Sequence, residues 1–76
     1  MNNEECGNEF KVFGNNVRKY RESKKLSIKE LSEKTGITER HLTRIEQGIA
    51  RRVNVSHIFI LAEGLKIPPH KLCEGI

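Results

Sequence analysis

A compact all-α domain of five helices is the fold class that this chain of 76 residues predicts. Three observations carry that expectation. Apolar residues recur at three- and four-residue steps, and no stretch alternates well enough for a strand. Side chains suited to capping stand where those periods begin, at Ser27, Thr38 and Asn54. Residues that stop a helix stand where they end, at Gly36, Gly48 and Pro68-Pro69.

The first helix is expected from about Phe10 to Lys24, because Phe10, Phe13, Val17 and Tyr20 share one face. Gly14 weakens it slightly. Residues 1–9 are polar and acidic and read as a flexible tail, leaving 10–76 as the domain. The second helix starts after Ser27, where Ser27 and Glu30 have the spacing of a capping box. Gly36 closes it, since the position beyond a helix end favours a left-handed backbone. Thr38 caps the third helix, with Glu39 at its positive end. "IARRV" after Gly48 reads as a loop. Asn54 caps the fourth helix, carried by Val55, Ile58, Leu61, Ala62 and Leu65. A last short helix starts at Pro69, where a missing N–H costs nothing, and Leu72 anchors it.

Composition narrows the function. The longest apolar run, Ile58 to Ala62, is far too short to cross a bilayer. The N-terminus has no signal-peptide pattern, so the expected location is the cytoplasm and no membrane partner is expected. Cys6 and Cys73 cannot make a disulfide framework and would stay reduced there. His70 and Cys73 are three apart, but a metal site needs more ligands, so neither metal nor cofactor is expected. Residues 10–76 carry 14 basic side chains against 7 acidic ones. Such an excess attracts polyanions.

The stretch "LSIKELSEKTGITERHLTRIEQG", Leu26 to Gly48, is the most informative. Only Gly36, Ile37 and Thr38 separate its two helices, which forces a sharp angle between them. Leu31, Ile37, Leu42 and Ile45 then fall on the inner side of the bend. Ser32 is small, as a close crossing requires. Glu39, Arg40, Thr43 and Arg44 are left outside. That is a helix-turn-helix over 28–47, whose second helix presents its outer face to the major groove.

On these residues the chain resembles the Cro/repressor-type (Xre) family, which includes the phage lambda and 434 repressors. The likeness spans roughly Phe13 to Cys73. It rests on Arg21, Leu26, Ser27, Glu30, Leu31, Gly36, Ile37, Leu42, Ile45, Glu46, Gly48 and the Leu61 to Ile67 stretch. It implies a lambda-repressor-like fold in which Thr38, Glu39, Arg40 and Arg44 face bases or adjacent phosphates. Chemistry supports the basic pair, since an arginine can fork onto guanine O6 and N7 for about 1–3 kcal/mol of discrimination. Glu39 can accept from a cytosine amine or repel phosphates in a wrong register. Thr43 can meet a thymine methyl or a phosphate. Ser27, Lys29, Gln47, Arg51 and Arg52 are the candidate phosphate contacts. The resemblance also implies a structural ion pair between Arg21 and Glu46. The family often has glutamine where this chain has Ile28, which cannot donate. Either Ile28 packs locally or the anchor moves to Lys29. Ser32 replaces the family's usual alanine.

One recognition helix reads only a few base pairs, so useful specificity needs two, about 34 Å apart. A homodimer is therefore expected, with Phe59, Ile60 and Leu72 as its candidate interface. The function expected is a sequence-specific transcriptional regulator, of repressor or controller type, binding a near-palindromic operator in double-stranded DNA. The alternative is a protein-interaction module on the same fold with weak DNA binding, its partner unidentified. An enzyme is not expected: His41, His57 and His70 are scattered and no nucleophile–base pair is evident.

Overall fold

The computed structural model describes the backbone over 3–50 and 53–75, with side chains from Glu9 onward. Five helices follow one another: α1 Asn3–Ser23, α2 Ile28–Thr35, α3 Glu39–Gln47, α4 Val55–Leu65 and α5 Pro69–Leu72. No strand interrupts them among the described residues. α1 begins at Asn3, so the segment expected to be a flexible tail is helical backbone from that residue on.

The four later starts follow local chemistry. Ser27 Oγ accepts from the Glu30 N–H at 3.0 Å, and Glu30 Oε1 accepts from the Ser27 N–H at 2.8 Å. Thr38 Oγ1 accepts from the His41 N–H at 3.1 Å. At α4, Asn54 Oδ1 accepts from the His57 N–H, and His57 Nδ1 accepts from the Asn54 N–H in return. Each cap satisfies amides that the helix itself leaves free, for about 1 kcal/mol per capping side chain. α5 has no side-chain cap; Pro69 supplies its first position.

The core is one cluster drawn from every helix: Phe13, Val17, Leu31, Ile37, Leu42, Ile45, Ala50, Leu61, Ala62, Leu65 and Leu72. Burying each large aliphatic side chain contributes about 1.5–3 kcal/mol. α1 lies along α3, α2 packs on α3 and α4, and α5 closes against α4 and α1. Asn16 Nδ2 donates to the carbonyls of Leu72 and Glu74, at 2.8 and 2.9 Å, and ties the end of the chain to α1. Leu72 is fully buried within this packing. It has no surface left for a second copy, and so leaves the expected dimer interface and joins the core.

Candidate nucleic-acid interface

The bend between α2 and α3 is built from three residues and two hydroxyls. Gly36 has φ +79°, a left-handed conformation that a Cβ would strain. Ile37, next to it, is buried and fastens the turn to the core. Its polar groups are both paired. Ser32 Oγ donates to the Ile37 carbonyl at 2.6 Å, while Thr35 Oγ1 accepts from the Ile37 N–H at 3.2 Å. Thr35 in turn donates to the Leu31 carbonyl at 2.8 Å. Ser32 is therefore more than a small residue at a crossing: it holds a carbonyl that alanine would leave unpaired.

α3 hangs from this turn by its inner face. Leu42 and Ile45 are 0% and 1% exposed, so the helix cannot roll without uncovering them. Two further contacts fix it against α1. Gly14 faces the α3 backbone so closely that a Cβ there would overlap the Ile45 carbonyl oxygen and lie 2.9 Å from that of Glu46. Beside it, Arg21 donates to both carboxylate oxygens of Glu46, at 2.7 and 3.1 Å, and to the Leu26 carbonyl at 2.7 Å. The hydrogen bond to Glu46 raises the Arg21 pKa, against the opposing effect of desolvation, so this guanidinium stays charged. Both side chains are largely covered, which makes the pair a bolt between α1 and α3.

The outer face of α3 is the opposite. Thr38, Glu39, Arg40, Thr43, Arg44 and Gln47 are all exposed. Among the described residues, the side chains of Arg40, Thr43, Arg44 and Gln47 make no hydrogen bond or ion pair within the chain. Two arginines and two neutral donors are thus held on a rigid helix with their hydrogen-bonding capacity unspent. Ser27 and Lys29 are exposed at the start of α2. The Ser27 hydroxyl accepts in its cap and keeps its own proton for another acceptor. Ile28 is half-buried and packs on the core. Arg51 and Arg52 lie outside the described residues.

α4 carries a different surface. Phe59 is 57% exposed and Val55, one turn earlier, is 64% exposed, whereas Ile60 is half-buried against the core. Ile49, after α3, is also exposed. Sequence periodicity assigned Val55 to the buried stripe; at the first turn of α4 it instead lies at the edge of what the neighbouring helices cover. His41 and His57 come together across α3 and α4, with ring centroids 5.1 Å apart. No group of His, Cys, Asp and Glu suited to a metal occurs among the described residues. Among the described residues, no helix is long and apolar enough to cross a membrane.

Bent helix pair, buried turn isoleucine and outward polar face together define a helix-turn-helix protein. The helix-turn-helix family model matches residues 17–72. The chain belongs to this Xre-type family, whose fold is that of a DNA-binding transcription regulator. Among solved structures it is similar to the restriction-modification controller protein C.AhdI from Aeromonas hydrophila. The two superpose with a TM-score of 0.78 and share 32% identity, over 83% of this chain and 94% of that one. Comparison with curated proteins gave no match.

Proposed function

We propose that the chain is a sequence-specific transcriptional regulator of controller type that binds a near-palindromic operator as a homodimer. One observation carries the reading: α3 is bolted to the core on one side and presents Arg40, Thr43, Arg44 and Gln47, unpaired within the described chain, on the other. A rigid helix with spare bidentate donors is what base-edge reading in the major groove needs. Thr38 and Glu39, at the α3 N-terminus, complete the base-facing set. Ser27, Lys29 and Gln47, with Arg51 and Arg52 beyond α3, act on phosphates and set the register. The likeness to a restriction-modification controller supports the controller role over the other uses of this fold.

The homodimer follows from what one α3 can read, a few base pairs, and from the apolar surface of α4. Val55 and Phe59 stand one turn apart and form an exposed apolar pair that a second copy would cover. Ile60 contributes at the edge. Selection of bound duplexes from a random library at physiological salt tests the proposal, with Arg40→Ala and Arg44→Ala as controls. The expected product is an inverted repeat whose half-sites lie one helical turn apart and whose sequence changes with either substitution. Recovery of no motif, with all three proteins binding alike, would sink the base-reading claim and favour a protein-interaction module.

A further inference from the structure

Lys11, Asn15, Arg18 and Glu22 recur along α1 at steps of four, three and four, so they form one stripe. All four are exposed. The stripe runs beside α3: Lys11 packs on Gly48 at the end of that helix. Farther along, Asn15 and Arg18 meet Thr43 and Gln47 of α3 across an open hollow of about 400 Å³. Ile28 forms an apolar part of its wall, and the Arg21–Glu46 pair also lines it.

The hollow offers an anion hydrogen-bond donors and no net charge, because Glu22 lies 3.2 Å from Arg18 and 4.0 Å from Arg21 and balances the second guanidinium. Glu46 is neutralised by the two bonds from Arg21, so the pair adds no net charge. Around it stand the Asn15 and Gln47 amides, the Thr43 hydroxyl and the Arg18 guanidinium. Arg18 donates through Nε to Glu22 at 3.2 Å. That pair is 62% and 56% exposed, so it orients the guanidinium while adding little stability. The two terminal nitrogens of Arg18 make no bond among the described residues, and together they match the two free oxygens of a phosphodiester. Ile28 suits the apolar edge of the adjoining sugar. Thr43 and Gln47 belong both to this hollow and to the outer face of α3, so a strand lying on one passes the other.

We propose that Asn15 and Arg18 of α1, converging with Gln47 of α3 on this hollow, seat a backbone phosphate of the duplex whose bases α3 reads. The proposal rests on the DNA-binding reading above. The contact sets the depth and tilt of α3 in the groove and carries no sequence information itself. It makes α1 part of the binding surface as well as the support for α3.

The test is the salt dependence of affinity, measured on the selected operator and on a random duplex, for wild type, Arg18→Ala, Arg18→Lys, Asn15→Ala and Glu22→Gln. With Arg18→Ala, the slope of log affinity against log salt becomes shallower by about 0.9, the share of one neutralised phosphate. The loss is equal on both duplexes, and the thermal midpoint is unchanged because Arg18 is exposed. Arg18→Lys keeps the slope, Glu22→Gln keeps or steepens it, and Asn15→Ala weakens both duplexes a few-fold at constant slope. A wild-type slope in Arg18→Ala overturns the proposal, as does a loss confined to the operator. Wild type that binds no duplex in a salt-dependent way overturns the DNA-binding reading, and this proposal with it.

Discussion

α3 and α4 are built alike and end differently. Each starts on a polar side chain that accepts from the third amide of its helix, at Thr38 and at Asn54. Each ends on a left-handed residue, Gly48 and Lys66. Each buries two or three aliphatic side chains in the same core. Their outer faces differ in the side chains they add to one exposed glutamate each, Glu39 and Glu63. α3 shows arginine, threonine and glutamine; α4 shows valine and phenylalanine. Inner faces decide that a helix sits where it does, because desolvation dominates there. Outer faces decide what the helix meets, since stability leaves them nearly free to vary. The contrast predicts that substitutions on inner contacts change stability, while those on either outer face change binding alone.

The strongest challenge to that division is Glu46→Ala, which leaves the covered Arg21 guanidinium without its carboxylate. The expected cost is about 3–5 kcal/mol, most of the stability of so small a domain. Thermal unfolding followed by circular dichroism should show a lost or much lower transition. An unchanged transition would mean that the pair does not hold α1 to α3. Gly14→Ala comes next: the new Cβ meets backbone that cannot yield, and overpacking of this kind costs about 1–3 kcal/mol despite alanine's better helix propensity. On the outer face, Arg44→Ala should reduce operator affinity by about 1–3 kcal/mol and relax specificity at one base pair, with no shift in unfolding. A shift in unfolding would instead assign Arg44 to the fold. Ser32→Ala, which frees the Ile37 carbonyl, should cost about 1 kcal/mol in denaturant unfolding. The smallest effect on stability belongs to Phe59→Ser, within about 0.5 kcal/mol, because its ring is largely outside the core. Sedimentation of that variant should nonetheless give monomer where wild type gives dimer. Identical sedimentation of the two would remove Phe59 from the self-association surface.

Much of the fold is legible along the chain. Ser27 with Glu30, Thr38, Gly36 and Asn54 mark ends by their own local chemistry, and the observed starts of α2, α3 and α4 and the end of α2 follow them. Leu31, Ile37, Leu42 and Ile45 are readable as core because period and turn length leave them one direction to point. The candidate interface is readable in part. Arg40, Thr43 and Arg44 follow once the inner face is known, since they are what remains. Asn15 and Arg18 do not, because their role depends on which helix lies beside α1. Their steps with Lys11 were visible, but a polar stripe on a first helix ordinarily means only a solvated face.

Three residues changed meaning with the tertiary structure. Leu72 looked available for a partner, and α1 and α4 close over it instead. Gly14 looked like a weak spot in a helix, and it is where α1 touches the α3 backbone. Val55 looked buried by period, and it stands largely in solvent on the side of α4 away from the His41–His57 contact.

By itself the sequence determined the helices, their caps, the sharp turn at Gly36 and the residues left on the outer face of α3. Each of these depends on groups within a few residues of one another, where spacing along the chain is distance in space. Only the tertiary structure decided which helix lies against α3, which apolar side chains stay exposed and which donors of α1 share a hollow with Thr43 and Gln47. Those depend on groups 25 or more positions apart, as Arg21 and Glu46 are. Their proximity is set by how five separate faces bury one another, and no local period encodes it.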